Sequence, residues 1–166
     1  KELIMPRITV VDPATATGEA KRLLDAVQAG LGVTPNFVRA LASAPAALEG
    51  FLGLYTIAGK GVLDHRTRER IALAVAEQNS CQYCVSAHTA IGKRLGVTAA
   101  ELEASRDGTS SDPKVEAALG FARALVERRG DVTDADIAQV RGAGWSDAEV
   151  AEIVAHVALN VFTNYF

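Results

Sequence analysis

The amino-acid sequence predicts an all-α protein, a single-domain helical bundle over residues 1–166. Three observations support this prediction: apolar residues recur with helical spacing along most of the chain, capping residues precede several of these stretches, and only one short run resembles a strand. A chain of 166 residues with 49% hydrophobic residues can fill one core and is short for two domains. We therefore expect one domain of about eight helices.

The first third of the chain contains an extended lead-in followed by helical patterns. The run Ile8–Val11 lies between two prolines in residues 1–13, so an extended segment is expected there. Helical spacing of apolar residues begins after Thr17, and Pro35 and Pro45 stand where helices often start. Glycines close these patterns at Gly30, Gly32, Gly59 and Gly61.

The middle of the chain is predicted to form two antiparallel helices. Asp64 suits the N-cap of the first, whose run 71–76 is apolar on all sides and so indicates a helix buried between others. The chain is expected to reverse at Asn79 and Ser80, both good N-cap types, with Cys81 in the first turn of the second helix. Its inward face would then carry Cys84, Ala87, His88, Ile91 and Leu95.

The last third is predicted to hold four more helices. Thr98–Glu101 and Ser146–Glu149 match the capping-box pattern at a helix start. Asp112–Pro113 opens a long amphipathic helix, and Thr133 begins a shorter one. No strand pattern separates these predicted helices, which agrees with an all-α bundle.

The segment Cys81–His88 contains both cysteines and one of the three histidines of the chain. On one helix, the two sulfurs come within disulfide reach, and His88 lies one turn after Cys84. The free N–H groups and dipole of the helix start favour a thiolate at Cys81. Glu69 lies at a similar distance from the turn on the preceding helix, so a carboxylate, an imidazole and a dithiol are expected to share one pocket.

Each of these residues also has an ordinary structural interpretation. The cysteines could be small core residues or metal ligands, His88 a satisfied core histidine, and Glu69 a solvated acid in the first helical turn. The combined spacing favours redox chemistry. Tyr83 is expected to pack against the neighbouring helix and to shape the mouth of a substrate pocket. His156 is expected to be structural or at an interface.

Composition excludes several classes of function. A net charge of −3 without a long run of Lys or Arg offers no electrostatic surface for nucleic acid or an anionic membrane, so neither is expected as a partner. The sequence shows no membrane-spanning stretch and no signal-peptide pattern, and we expect a cytoplasmic protein. No phosphate-binding glycine loop or haem-attachment motif is present, and no cofactor or resident metal is expected.

The combination of Glu69, the run Cys81-Gln82-Tyr83-Cys84 and His88 resembles the alkylhydroperoxidase D-like group of the carboxymuconolactone decarboxylase superfamily. The whole chain, including residues 158–166, looks like its peroxidase-related branch. The resemblance implies an all-helical domain in which the cysteines cycle between dithiol and disulfide. It also implies that Cys84 is the peroxidatic sulfur, Cys81 the resolving one, and Glu69 and His88 a proton relay. Some members have a histidine at the position of Tyr83, so the relay here is expected to differ.

The resemblance and the helix dipole favour different cysteines. The dipole argues for Cys81 as the more acidic thiol, whereas the resemblance implies Cys84. We favour Cys84 because it lies one turn from His88, which can deliver a proton to the departing hydroxide.

The leading function is therefore a thiol-dependent peroxidase that reduces hydrogen peroxide or organic hydroperoxides and is regenerated by an external dithiol or protein reductant. One alternative is a disulfide oxidoreductase without peroxidase activity. Another is a small zinc-binding or redox-sensing module that uses Cys81, Cys84 and His88, with Glu69 as a fourth ligand. A lactone decarboxylase is disfavoured, because the resemblance implies no need for a cysteine pair in that branch. The run 71–76, apolar on all sides, and the apolar residues of 161–166 give more apolar surface than a small monomer easily hides, which predicts a homo-oligomer. The resemblance implies a dimer, trimer or hexamer.

Overall fold

A computed structural model describes residues 7–166, which form nine α-helices and no strand. The all-α prediction is confirmed, and the number of helices is close to the predicted one. The helices are α1 (Gly18–Leu31), α2 (Asn36–Leu41), α3 (Pro45–Ala58), α4 (His65–Gln78), α5 (Gln82–Arg94), α6 (Ala99–Arg106), α7 (Pro113–Glu127), α8 (Asp134–Gly142) and α9 (Asp147–Tyr165).

The chain divides into two compact units, Lys1–Ile57 and Ala58–Phe166. In the first unit, the N–H of Val11 donates to the carbonyl of Arg39 at 3.1 Å, and the Arg39 Nε donates back to the carbonyl of Val11 at 3.0 Å. These bonds fix the segment before α1, which carries no helix over residues 7–13, as the sequence predicts. The first six residues of the predicted lead-in lie outside the described residues. The single domain over residues 1–166 stays a prediction.

The second unit is built around α4. Every residue from Ile71 to Ala76 is at most 2% exposed, because α4 packs against α5, α6, α7 and α9. Burying a helix on all sides removes a large apolar area from water, which stabilises the fold. The prediction of a helix buried between others is confirmed. The core around α4 includes Ile71, Ala74, Val75, Val115, Ala118, Leu119, Ala122, Ile153 and Val157.

Capping side chains fix where the helices of this unit begin. The Asp64 carboxylate accepts hydrogen bonds from the N–H groups of Arg66 at 2.9 Å and Thr67 at 3.1 Å, which confirms the predicted cap of α4. Ser146 and Glu149 form the predicted capping box at the start of α9.

The second predicted capping box, Thr98–Glu101, is only half formed. The Thr98 hydroxyl accepts from the N–H of Glu101 at 3.2 Å, but the Glu101 carboxylate binds the guanidinium of Arg70 and the N–H of Ser111 instead. Arg70 is 8% exposed, and a buried charged donor competes more strongly for a carboxylate than a backbone N–H does.

Candidate functional site

A tight turn joins α4 to α5 and positions the two cysteines. Asn79 ends α4, and Ser80 takes a left-handed conformation with φ of 56°. The N–H of Cys81 then donates to the carbonyl of Ala76 at 2.9 Å, and α5 begins at Gln82. The prediction that Asn79 and Ser80 would cap this helix is wrong. An N-cap residue needs extended backbone, which Ser80 lacks, so Cys81 is the cap itself rather than a residue of the first turn.

Cys81 and Cys84 are joined by a disulfide, with their Cα atoms 5.3 Å apart. The N–H of Cys84 also donates to the sulfur of Cys81 at 3.3 Å, which is the capping contact of α5. Cys84 is only 7% exposed, whereas Cys81 is partly exposed. Apolar side chains surround the pair, namely Leu73, Ala76, Val85, Val97 and Leu102. One sulfur therefore lies in the core of the unit, and the other lies near its surface.

The burial and the capping geometry affect the two sulfurs differently once the bond is reduced. At the N-cap, Cys81 receives a backbone N–H and the positive end of the helix dipole, both of which stabilise a thiolate. Cys84 lies in apolar surroundings, which stabilise the neutral thiol. Cys84 therefore needs a base nearby to react at neutral pH.

His88 lies one turn after Cys84 on α5, and its ring contacts the carboxylate of Glu69. The Nδ1 of His88 lies 2.7 Å from the Oε2 of Glu69, and the side chains are 22% and 19% exposed. Since α4 and α5 are antiparallel about the Ser80 turn, the two residues stand at the same level, as the sequence predicts. The contact leaves the Nε2 of His88 available for another partner, on the helix that also carries Cys84 one turn earlier.

The buried face of α5 differs from the predicted one at its far end. Cys84 and Gly92 are buried, but Ile91 is 39% exposed, so its assignment to the inward face is wrong. The cause is close packing of α6. A Cβ built on Gly92 would lie 2.5 Å from a methyl group of Leu102, so this glycine rather than the isoleucine faces α6.

Tyr83 is largely exposed at the start of α5. Its side chain is 64% exposed. Successive residues of a helix point about 100° apart, so the burial of Cys84 turns Tyr83 towards solvent. Its place at the mouth of a substrate pocket stays a prediction.

His156 is a buried polar residue whose position the sequence did not reveal. It is 5% exposed on α9, although its place in an apolar helix had suggested only a structural or interface role. Burial lowers the pKa of His156 and so does the nearby Arg68 guanidinium, while a hydrogen bond to the backbone of Ala58 and the carboxylates of Glu152 and Glu69 raise it. The net effect favours a neutral ring. The one available signal was a histidine among apolar residues, which does not by itself identify its partners.

The described part of the chain holds neither a candidate metal-binding cluster nor a candidate membrane span. No three His, Cys, Asp or Glu side chains within residues 7–166 stand close enough to bind a metal ion together. None of the helices there combines the length and apolar character needed to cross a membrane.

Comparison with known proteins places this site in a family. The model of the carboxymuconolactone decarboxylase family matches residues 42–128, more than half of the chain. A comparison with curated proteins found no match.

Several solved structures have the same fold. An alkylhydroperoxidase AhpD core protein from Ralstonia eutropha JMP134, described as peroxidase-related, is 26% identical with a TM-score of 0.84, over 96% of this chain and 86% of that one. A peroxidase-related protein from Silicibacter sp. TM1040 is 24% identical with a TM-score of 0.81, over 99% and 90%. The debrominase Bmp8, in complex with 2,3,4-tribromopyrrole, is 20% identical with a TM-score of 0.81, over 98% and 88%.

The family model covers the disulfide, the turn before it and the Glu69–His88 pair, and the structural neighbours share the all-helical architecture around them. The chain belongs to the carboxymuconolactone decarboxylase family, and its fold is of the alkylhydroperoxidase D-like type.

Proposed function

We propose that the protein is a thiol-dependent peroxidase that reduces hydrogen peroxide or organic hydroperoxides through a Cys81–Cys84 dithiol–disulfide cycle. One observation carries the proposal: the disulfide lies at the start of α5, and His88, one turn after the buried sulfur on the same helix, contacts Glu69 on α4. A dithiol supplies two electrons, and a histidine held by a carboxylate can take up and return a proton at neutral pH. Both are needed to break an O–O bond.

The proposed reaction starts from the reduced pair. His88 takes the proton of the Cys84 thiol, and the thiolate attacks the terminal oxygen of the hydroperoxide. The O–O bond breaks, a sulfenic acid forms on Cys84, and the departing alkoxide or hydroxide takes the proton from His88. Cys81 then attacks the sulfenic sulfur, water leaves, and the disulfide forms. An external dithiol returns two electrons and two protons to the pair, so one hydroperoxide yields one alcohol and one water.

Glu69 has a supporting role in this scheme. A carboxylate bonded to Nδ1 fixes the ring orientation and stabilises the imidazolium that forms during thiol deprotonation. It also directs the proton exchange to Nε2. We therefore propose Glu69 and His88 as the relay, with Cys84 as the peroxidatic sulfur and Cys81 as the resolving one.

A partly exposed Cys81 suits attack by an external thiolate, since the reductant must reach one sulfur of the disulfide. The same feature suits a disulfide oxidoreductase that exchanges disulfides with other proteins without using peroxide. This is the second candidate function. The two functions differ in the oxidant that they accept, so kinetics can separate them.

The proposed cycle needs a reducing compartment, and we therefore place the protein in the cytoplasm, with a dithiol or protein reductant as its partner. We also propose a homo-oligomer. Large apolar side chains are exposed at the end of α9, where Phe162 is 41%, Tyr165 is 75% and Phe166 is 49% exposed.

The deciding experiment measures dithiol-dependent consumption of hydrogen peroxide and of an organic hydroperoxide by the wild type, Cys81→Ser and Cys84→Ser. Rapid consumption by the wild type alone supports the peroxidase. Disulfide exchange without peroxide consumption would favour the oxidoreductase. Tribromopyrrole serves as a comparison substrate, because one structural neighbour is a debrominase.

A further inference from the structure

A pair of side-chain amides joins the end of α4 to the end of α9. The amide of Asn79, the C-cap of α4, donates to the Oδ1 of Asn164 in the last turn of α9 at 3.0 Å. Asn79 lies one turn after Val75, and Asn164 lies two turns after Val157, on the apolar faces with which the two helices build their common core. The polar pair therefore closes an apolar helix contact at the end nearest the disulfide, since Cys81 follows Asn79 by two residues.

This amide pair leaves one hydrogen-bond donor unpaired. The Nδ2 of Asn164 is buried and has no hydrogen-bond partner within residues 7–166. A buried amide that lacks a partner is unfavourable, and two apolar side chains of similar size would avoid that penalty. Packing alone therefore does not explain why asparagines stand at these two positions.

The turn that follows Asn79 is strained. Ser80 has a φ of 56°, a left-handed conformation that is unfavourable for a residue with a Cβ. The turns after α5, α6 and α8 place a glycine in this conformation instead, namely Gly96, Gly108 and Gly144. Because Ser80 does not favour its conformation by itself, a side chain that holds Asn79 in place helps to maintain the turn.

The conformation of Ser80 determines where Cys81 stands. Ser80 directly precedes Cys81, which caps α5 and accepts the N–H of Cys84 at 3.3 Å. A disulfide requires Cα atoms roughly 4.4–6.8 Å apart. The Cα atoms of Cys81 and Cys84 are 5.3 Å apart with the turn as it is. Rotation of Ser80 out of the left-handed region would move Cys81 relative to Cys84, so the turn sets how often the two reduced sulfurs meet.

We propose that Asn164 is a positioning residue for Cys81: through Asn79 it holds the Ser80 turn, and so keeps the two thiols of the reduced protein in place to form the disulfide. The inference rests on the dithiol–disulfide cycle of the proposed function and extends that cycle to α9. It concerns the step that joins the two sulfurs and is independent of the oxidant.

The test measures the equilibrium between reduced and oxidised protein in mixtures of dithiothreitol and its oxidised form, which needs no peroxide. Oxidised dithiothreitol takes two electrons and two protons from the pair as the disulfide forms, and the reverse reaction breaks it. Asn164→Leu removes the acceptor for the Asn79 amide. The equilibrium constant for disulfide formation should fall roughly 3–10-fold, the effect of losing one intramolecular hydrogen bond. An unchanged constant in the folded variant overturns the proposal.

Asn160→Leu is the matched control. Asn160 is also a buried amide of α9, but its Nδ2 donates to the carbonyl of His156 on the same helix at 2.8 Å. Both leucine variants should lower the urea midpoint, whereas only Asn164→Leu should change the redox equilibrium. Equal shifts in the two variants overturn the proposal, because they would follow from the loss of any buried amide. Asn164→Asp keeps an oxygen for the Asn79 amide and should stay within about twofold of the wild type.

Ser80→Gly tests whether the effect passes through the turn. Glycine adopts a positive φ without strain, so this substitution should restore the equilibrium constant in the Asn164→Leu background. A defect that persists in full in the double variant contradicts the proposed route.

Asn79→Ala keeps the proposal testable if Asn164→Leu does not fold. It removes the donor of the same hydrogen bond from α4 and should lower the equilibrium constant to a similar extent, and an unchanged constant overturns the proposal. A lowered constant in these variants, without peroxide consumption by the wild type, rejects the proposed peroxidase and leaves the positioning role intact. Peroxide consumption by the wild type with an unchanged constant in the variants does the reverse.

Discussion

Glu69 and Arg70 are neighbours on α4, yet their ion pairs are built very differently. Arg70 pairs with Glu101 on α6, donates from Nε to Ser105 at 2.9 Å and from Nη2 to Ser110 at 2.6 Å. Ser111 donates to the same Glu101, and these hydrogen bonds from Ser111 are the largest cause of its lowered pKa. The Arg70 pair is thus saturated with partners.

The Glu69 pair is open by comparison. Within residues 7–166, its hydrogen-bonded side chain is that of His88, and the pair is 19% and 22% exposed. An arginine stays charged at any pH that a protein survives, whereas a histidine changes charge near neutrality. A saturated pair with fixed charges suits a structural role, and an open pair that contains a histidine suits the relay proposed above. Breaking the Glu69–His88 pair is therefore expected to affect the reaction, whereas breaking the Arg70–Glu101 pair is expected to affect stability.

The largest effect is expected at the disulfide beside the open pair. Cys84→Ser should abolish peroxide consumption, because it removes the attacking sulfur. Cys81→Ser should allow one turnover and leave a sulfenic acid on Cys84, detected by a sulfenate-specific probe and mass spectrometry. A sulfenate trapped on Cys81 in Cys84→Ser would show that the helix dipole decides which thiol reacts.

The second-largest effect on the rate of peroxide reduction is expected when the open Glu69–His88 pair is broken. Glu69→Gln and His88→Ala should each slow peroxide reduction by roughly 10²–10⁴-fold, the usual contribution of a positioned acid or base. Circular dichroism checks that the fold is retained. The alkylation rate of the reduced cysteines against pH is a second measurement, and an apparent thiol pKa near the ordinary value of about 8.5 in the wild type and both variants would remove the relay from the mechanism.

Breaking the saturated pair should instead cost stability. Arg70→Met leaves the Glu101 carboxylate without its guanidinium and should lower the free energy of unfolding by roughly 3–5 kcal/mol. Urea unfolding measures the change, and the double variant with Glu101→Gln should recover part of it. The peroxidase rate per folded molecule should stay within about twofold, because no reacting group is touched. A large loss of rate in a folded variant would mean that the two pairs are coupled.

Much of the structure around the disulfide and the Glu69–His88 pair could be predicted from the sequence. The apolar run 71–76 identified α4 as a buried helix, and equal distances from the turn placed Glu69 beside His88. Spacing also brought the two cysteines together. These features depend on local periodicity, which one sequence carries in full.

The predictions that were wrong concern contacts between residues that are far apart in the chain. Glu101 was predicted to close a capping box, but Arg70, far away in the chain, takes its carboxylate. Ile91 was assigned to the inward face, but close packing of Leu102 on Gly92 sets that face. The burial of His156 follows from the pairing of α4 with α9, which periodicity does not specify.

A smaller effect on stability is expected at Asp64, the N-cap of α4, which precedes both pairs in the chain. Asp64→Ala removes the side-chain acceptor for the N–H groups of Arg66 and Thr67 and should lower stability by about 1 kcal/mol. Chemical denaturation measures it, and Asp64→Asn, which keeps a capping oxygen, should lose less. Since the cap lies outside both pairs, the catalytic rate should not change.

The smallest effect is expected in the acid stability of the protein, through His156. Burial lowers the pKa of His156 below the ordinary value of 6.5, and Arg68 lowers it further. Between the lowered pKa and 6.5 the unfolded chain binds more protons than the folded one, so stability falls as the pH drops through this window. Above about pH 7 the ring is neutral in both states and has no such effect.

His156→Gln cannot titrate, so the urea midpoint of the wild type should fall relative to that of the variant between pH 7 and 5. His65→Gln should follow the wild type, because His65 is exposed. A midpoint difference that is independent of pH would show that the buried ring does not titrate in this range.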